Sequence, residues 1–305
     1  MKVLVTGATG FLGSHLTGRL AQDGYDVYVS NTKKANLSKV ENIVEAYGDI
    51  SFDFIFHLAA VTRAGDYCLH HKGDQWLQNQ LINTNVLQYW KDYQPQAKMI
   101  CMGTSCTYAP NIPMKEENCL LGDPEDSLYT YGMTKRMLLV GLRALQHQYG
   151  LEWLYFIPST LYGPGFELED NHFIFDFIRN SYNAKHRGEP FVVWGDGEQR
   201  RELIYVDDAI DAMMQLLPQK NEVFNLGSGQ DHSINDFARK ICEIYEYDSS
   251  LVRHDMTKYV GVREKRIDTS KVERFIEGEV FLKTTLDEGL RSSIDYFCDQ
   301  MAKGN

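Results

Sequence analysis

Tyr131 and Lys135 stand four residues apart, as YxxxK, in a stretch from Leu128 to Gln148 whose pattern is helical. That spacing puts both side chains on one helix face, a turn apart. An ammonium beside a phenol favours the phenolate, so the pair can serve as a general acid or base near neutral pH. Upstream, an apolar run from Lys98 to Met102 leads into GTSCTY, which sets Thr104 at the carboxyl edge of a strand, where open α/β sheets bind their ligands. The Thr104 hydroxyl could hold the same substrate oxygen as Tyr131. A second chemistry lies near the start of the chain, where Gly7, Gly10 and Gly13 form TGATGFLG between a short apolar run, Lys2 to Thr6, and an amphipathic stretch, Phe11 to Asp23. Glycines between a strand and a helix permit a tight turn and let backbone N–H groups reach a diphosphate at the helix N-terminus. The turn and the helix start, Gly7, Thr9, Gly10, Phe11 and Leu12, are therefore expected to hold a dinucleotide.

Which dinucleotide is decided at the end of the second strand, Asp26 to Ser30, where an acid would grip the ribose hydroxyls of NAD. The residues that follow are Asn31, Thr32, Lys33 and Lys34. With no acid and two cations, charge complementarity favours the 2′-phosphate of NADP, and NAD is the alternative. Asn31 and Lys33 are the candidate contacts here, and Asp49 and Ile50 of the GDI stretch are candidates for the adenine. The formal net charge of −11 argues against a nucleic-acid partner, because neutralising a phosphate backbone needs a clustered excess of Lys and Arg. A small anionic substrate needs only a few local cations and stays possible. The cysteines, Cys68, Cys101, Cys106, Cys119, Cys242 and Cys298, form no CxxC pair, so neither a metal site nor a disulfide framework is expected, and a reducing cytoplasm fits. No apolar run is long enough to span a membrane, and MKVLVTGATG enters the first strand directly, so no targeting segment is expected.

These groups need a scaffold, and the chain supplies an alternation of elements. Strand patterns at Lys2–Thr6, Asp26–Ser30, Phe52–His57, Lys98–Met102 and Glu152–Ile157 alternate with helical ones, including Trp76–Tyr93 and Leu128–Gln148. Such alternation predicts βαβ units and an α/β fold: a Rossmann-type, doubly wound parallel sheet covered on both faces. After Gly163 the alternation weakens to helices at His172–Tyr182, Ser233–Tyr247 and Leu286–Met301 and a strand at Phe191–Trp194. The expected division is a dinucleotide domain over 1–165, with segments near 203–230 returning to it, and a smaller α/β lobe over 166–202 and 231–305. The strand at Val223–Leu226 is expected to rejoin the main sheet.

Across nearly its whole length the chain resembles the extended short-chain dehydrogenase/reductase family. The resemblance rests on TGATGFLG, HLAA from His57 to Ala60, Tyr131 to Lys135, ELIYVDDAIDAM from Glu202 to Met213, NLGSG from Asn225 to Gly229 and IDTSK from Ile267 to Lys271, in that order. It implies that Leu58, Ala59 and Ala60 join the cofactor contacts, that Thr104, Tyr131 and Lys135 form a catalytic triad, and that the second lobe binds a nucleoside-diphosphate sugar. The stretches GTSCTY, LEDNH, STLYGP and VVWGDGEQRRELIYVDD are similar to those of the GDP-L-fucose synthases, 3,5-epimerases and 4-reductases of a 4-keto-6-deoxy sugar. That similarity implies a proton-transfer pair, Cys106 and His172, and sugar-nucleotide contacts at Ser105, Asn171, Trp194, Arg201 and Arg263, with Lys265 and Arg266 as further phosphate candidates. For Trp194 a place in the core is an equal expectation. The family default is a homodimer through the two long helices. Two other enzymes stay open on these residues, an NAD-dependent epimerase with internal redox and a 4-reductase that does not epimerise; a non-catalytic NADP sensor is the reading from another class, against which the intact triad argues.

Overall fold

The computed structural model describes residues 1–62, 70–258, 260–276 and 282–304; Cys68 lies outside them. The main sheet is built from β1 (Lys2–Thr6), β2 (Asp26–Ser30), β3 (Phe54–His57), β4 (Lys98–Met102) and β5 (Trp153–Pro158), joined by a later strand, Glu222–Leu226. Among the described residues its order is β2, β1, β3, β4, β5, Glu222–Leu226, and every pairing is parallel. The return of residues 222–226 to the far edge is the one expected from the sequence.

A parallel sheet is covered on both faces, so the middle positions of its strands are mostly apolar. Successive side chains then serve two different cores. Val3, Val5, Phe56, Ile100, Phe156 and Phe224 pack on one face, with Leu16 and Leu20 from α1 (Phe11–Gln22). Leu4, Ile55, Met99, Cys101, Trp153 and Tyr155 pack on the other. There they meet Ile43 and Tyr47 of α2 (Val40–Tyr47), Tyr89 and Trp90 of α3 (Lys72–Tyr93), and Leu138 and Leu142 of α4 (Tyr129–Tyr149). The Trp90 indole N–H finds the Ala97 carbonyl at 2.8 Å, so this large ring is buried without an orphaned donor. Truncation of such a ring to alanine typically costs about 3–5 kcal/mol.

Beyond β5 the chain forms β6 (Thr160–Tyr162), α5 (Phe173–Arg187), β7 (Val192–Trp194) and β8 (Arg200–Tyr205). It continues through α6 (Val206–Gln215), β9 (Glu222–Leu226), β10 (Asp231–Ser233), α7 (Ile234–Tyr245), β11 (Arg253–Asp255), β12 (Glu264–Lys265), α8 (Ser270–Phe275) and α9 (Leu286–Ala302). Strand β8 is the hub of a second sheet, paired with β6 and β12 in parallel and with β10 antiparallel. Helices α5, α7 and α9 enclose a third core that includes Phe166, Ile178, Phe191, Phe237, Leu290 and Phe297. Capping boxes start two of these helices, Ser233 with Asp236 and Thr285 with Glu288. His15 of α1 ties the main sheet's helices to the crossing segment, its ring bonding the Asp207 carboxylate at 2.8 Å and the Pro164 carbonyl at 2.9 Å. Among the described residues no helix is long and apolar enough to cross a membrane.

Candidate active site

The chain reverses its winding direction at β1, which has β2 on one side and β3 on the other; such a switch point opens a crevice at the carboxyl ends of the strands. The glycine turn occupies it. Gly7 has φ of +70°, and a Cβ on it would lie 2.7 Å from the Ala59 nitrogen, so only glycine lets this turn lie against the Leu58–Ala60 segment. A Cβ on Gly13 would come within 2.1 Å of the Gly7 carbonyl oxygen, which is how closely α1 starts beneath the turn. Gly10 is different: it is exposed, it is the N-cap of α1, and no side chain caps the helix. The first-turn N–H groups and the positive end of the helix dipole are thus left for an anion, and the cradle fits a dinucleotide diphosphate.

Beneath the turn runs a buried chain of hydrogen bonds. Burial pushes the His57 imidazole down to about 4, so it is neutral; its Nε2–H donates to Asn83 Oδ1 at 3.0 Å, and its Nδ1 accepts from the Thr6 hydroxyl at 2.9 Å. The Thr6 oxygen in turn accepts the Ala59 N–H at 3.3 Å. At the adenosine end, Asn31 Oδ1 accepts the backbone N–H groups of Lys33 and Lys34, both at 3.1 Å, and so shapes the turn after β2. The Lys34 ammonium lies 5.1 Å from the centre of the Tyr47 ring, while Lys33 is exposed and extends from the turn. Asp49 is exposed; the Ile50 carbonyl accepts from Gln94 at 2.6 Å and its side chain packs into the core.

The catalytic candidates gather where β4 meets α4. A single turn, Ser105–Thr107, follows β4 and is capped by Thr104, whose Oγ1 accepts the Cys106 N–H at 3.2 Å. Helix α4 clamps this turn from several positions. A Cβ on Gly132 would meet the Cys106 carbonyl oxygen at 2.6 Å, so the helix start that carries Tyr131 lies directly on the turn. Lys135 is buried and its ammonium donates to the Met102 carbonyl at 2.8 Å; burial pushes it down to about 8. Arg136, which the sequence reading passed over, donates from Nε to the Thr107 carbonyl at 2.9 Å and from Nη2 to the Leu121 carbonyl at 2.9 Å. Tyr131 is half-buried, and Ser105 is buried beneath the turn.

Strand β12 brings the second lobe to the same turn. The Lys265 ammonium sits 3.1 Å from Cys106 Sγ. Cys106, Tyr108, Met114, Glu125, Val262 and Lys265 line a cavity of about 10 Å³, the room of one water. Lys265 therefore stands on the thiol, where the sequence reading had it as a phosphate contact.

The remaining candidates frame this cavity or lie outside it. Arg201 donates from Nη1 to the Val262 and Arg200 carbonyls, each at 2.8 Å, and so braces the strand that presents Lys265. A Cβ on Gly261 would lie 3.3 Å from Arg201 Nη2 and 3.3 Å from Glu125, so both side chains close on this glycine. Arg263 is exposed, and its carbonyl accepts the Arg200 N–H at 2.7 Å. Trp194 is 46% exposed with the Lys258 ammonium 5.4 Å from a ring centre, which corrects the expectation of a core residue. Asn171 is exposed and accepts from Arg179 at 3.4 Å. His172 is the N-cap of α5, and its Nδ1 meets Asp170 Oδ1 at 2.7 Å. The first turn of α5 reaches the glycine turn, since the Phe175 and Phe11 rings are 5.7 Å apart edge to face.

A family model described as the NAD dependent epimerase/dehydratase family matches residues 3–227. The chain is 26% identical to a GDP-L-colitose synthase of Yersinia pseudotuberculosis over 98% of its own length and 99% of the relative's. It is 27% identical to a GDP-L-fucose synthase of Sinorhizobium fredii, over 99% of this chain and 96% of that one. Among solved structures, a GDP-L-fucose synthetase from Naegleria fowleri superposes with a TM-score of 0.85 at 23% identity, covering 99% of this chain and 94% of the other, a likeness of fold.

Proposed function

The chain belongs to the NAD dependent epimerase/dehydratase family, and from that premise we propose that it is an NADP(H)-dependent epimerase and reductase of a nucleoside-diphosphate 4-keto-6-deoxy sugar, of the GDP-L-fucose synthase kind. The observation that carries the reading is the thiol of Cys106, two residues from Thr104, with the Lys265 ammonium at 3.1 Å. A plain dehydrogenase has no use for a thiol with an ammonium at hydrogen-bond distance beside its Thr, Tyr and Lys; epimerisation by proton transfer next to a ketone needs a base there. The names of the full-length relatives support the GDP-sugar class.

A keto group at C4 acidifies the hydrogens on C3 and C5. Cys106, as thiolate, removes such a proton, and His172, as imidazolium, returns one from the opposite face, which inverts the centre. Thr104 and Tyr131 hydrogen-bond the C4 oxygen and stabilise the enolate that forms between the two transfers. The glycine turn would hold the dinucleotide, with Lys33 and Lys34 the cations available to a 2′-phosphate, and the reduced nicotinamide would supply the hydride for C4. Tyr131 then gives its proton to the C4 oxygen, and the Lys135 charge stabilises the phenolate left behind. Arg201 and Arg263 are assigned to the diphosphate and Trp194, Ser105 and Asn171 to the sugar nucleotide.

By this reading residues 1–165 and 203–230 carry the cofactor, and 166–202 with 231–305 carry the sugar. The protein is a cytoplasmic homodimer. The exposed Trp76, Leu77 and Leu81 of α3 and Met137 and Val140 of α4 form the apolar faces it would bury. The free thiols of Cys101, Cys106, Cys119, Cys242 and Cys298 suit a reducing compartment. The test is to mix the protein with GDP-4-keto-6-deoxymannose and either NADPH or NADH and follow nicotinamide absorbance. Oxidation of NADPH in preference to NADH is expected, and no oxidation of either would turn the assignment toward an internal-redox epimerase.

A further inference from the structure

The assignment of His172 leaves open which ring nitrogen exchanges the proton and what holds the ring. We propose that Asp170 is a positioning residue: its carboxylate keeps the proton on His172 Nδ1 and turns the ring so that Nε2 is the nitrogen that trades protons with the sugar. The role of Nε2 rests on the function proposed above; the placement of the proton does not.

One oxygen of Asp170 takes both contacts. Oδ1 accepts the His172 backbone N–H at 2.8 Å and faces Nδ1 at 2.7 Å. The backbone bond closes a local turn that fixes the carboxylate relative to the helix start, and the second bond then fixes the imidazole. An ionised carboxylate can only accept, so Nδ1 must carry a hydrogen, in the neutral ring as in the imidazolium. Asp170 is ionised: burial pushes its carboxyl up, but the hydrogen bonds and charge of His172, with Arg179 nearby, outweigh this and hold it below the usual value.

The aspartate is itself held. Arg179 reaches back from α5 to the loop, donating to the Leu168 carbonyl at 2.7 Å and the Asp170 carbonyl at 3.2 Å, and it pairs with Asp176 on its own helix. That brace holds the backbone that carries the carboxylate, and the His172 backbone N–H holds the carboxylate itself. His172 is the more open of the pair, with its side chain 42% exposed against 24% for Asp170, so the ring is anchored at Nδ1 and free at its other edge.

As imidazolium, His172 gives the Nε2 proton to the enolate carbon and is left as the neutral Nδ1–H ring; Cys106 has taken the proton lost from the sugar, so charge and atoms balance. A ring released from Asp170 reverts toward the Nε2–H tautomer that a free neutral imidazole prefers, and turns away from the productive geometry.

The test needs no sugar. The protein is labelled with ¹⁵N-histidine, the His172 signals are assigned by their loss in His172→Gln, and nitrogen shifts with two-bond couplings give the tautomer of the neutral ring. Wild type is expected with Nδ1 protonated and Nε2 bare, Asp170→Asn with the same tautomer because its amide oxygen can still accept, and Asp170→Ala with the proton moved to Nε2. A wild-type ring protonated at Nε2, or an Asp170→Ala ring unchanged from wild type, overturns the proposal whatever the substrate. A second arm uses GDP-4-keto-6-deoxymannose in deuterated water. Asp170→Ala is expected to slow ring-carbon deuterium uptake on the order of tenfold or more with KM little changed, and Asp170→Asn less. Uptake equal to wild type in Asp170→Ala removes the positioning role. Absence of uptake in wild type itself sinks the assigned epimerisation and with it the role of Nε2 toward the sugar, while the tautomer result still decides what Asp170 does to the ring.

Discussion

Replacing Lys135 with methionine should remove activity while leaving the fold as stable as before or more so. The Lys135 ammonium is buried and is pushed down from the ordinary lysine value of 10.5 to about 8. That difference corresponds to about 3 kcal/mol against the charged form at neutral pH. The substitution removes this cost but leaves the Met102 carbonyl without its 2.8 Å donor, a loss of about 1–3 kcal/mol. The two nearly cancel, so Lys135→Met is expected within about 2 kcal/mol of wild type at pH 7, on the stable side. The pH dependence gives the sign. Between about 8 and 10.5 the native protein has released this proton while the unfolded chain keeps it, so wild-type stability should rise across that window relative to the variant. Urea unfolding of both proteins at pH 7 and at pH 10 measures the difference. A variant destabilised by more than about 3 kcal/mol at pH 7, with no relative gain for wild type at high pH, would refute the argument. In the same variant, reduction of the keto-sugar should fall by on the order of a hundredfold or more if, as proposed, the Lys135 charge stabilises the Tyr131 phenolate. Wild-type activity should also decline above about pH 8, as Lys135 loses its charge.

Lys265→Met removes the ammonium from Cys106; deuterium uptake at the sugar should drop about tenfold or more while the NADPH dissociation constant, read by fluorescence, holds, and Lys265→Arg should recover part of the loss. Gly13→Ala places a methyl where only 2.1 Å separates it from the Gly7 carbonyl oxygen, and calorimetry should find a loss of about 1–3 kcal/mol in stability together with weaker NADPH binding. Lys33→Glu, at the exposed cation of the turn after β2, should lower the ratio of kcat/KM for NADPH over NADH about tenfold, or about 1.4 kcal/mol, whereas Lys34→Ala should have a smaller effect because that ammonium rests on the Tyr47 ring.

The main sheet was legible because strands buried on both faces read as continuous apolar runs. Lys2–Thr6, Asp26–Ser30 and Lys98–Met102 have the bounds expected, and the others moved by a residue or two at their ends. Helix α2 was missed although Val40, Ile43, Val44 and Tyr47 recur at helical spacing, since it is only eight residues long and follows a polar turn. The second sheet was not legible. Its hub, β8, stood in the sequence as a motif, RRELIY, but its partners β6, β10 and β12 have three, three and two residues, too few for periodicity to register.

The site divides in the same way. Tyr131 with Lys135, and Thr104 with Cys106, are near in sequence, so local geometry already predicts their neighbourhood. The meeting of Lys265 with Cys106 spans 159 residues, and nothing in the string REKR separates it from a solvated charge run. Arg136 was overlooked because its partners are backbone carbonyls, which no residue type announces. The Asp170 contact was in plain sight as DNH, two residues apart, but carried no weight until the helix start turned the ring onto the carboxylate.

The claim that thiol and imidazole chemistry precedes reduction is tested most directly by NMR of the product formed from GDP-4-keto-6-deoxymannose and NADPH in deuterated water. Deuterium is expected at C3 and C5 of the reduced sugar with both centres inverted, and that label should be lost in Cys106→Ser. NADPH consumed with neither carbon labelled would contradict it and leave a 4-reductase in which Cys106 and His172 take no part.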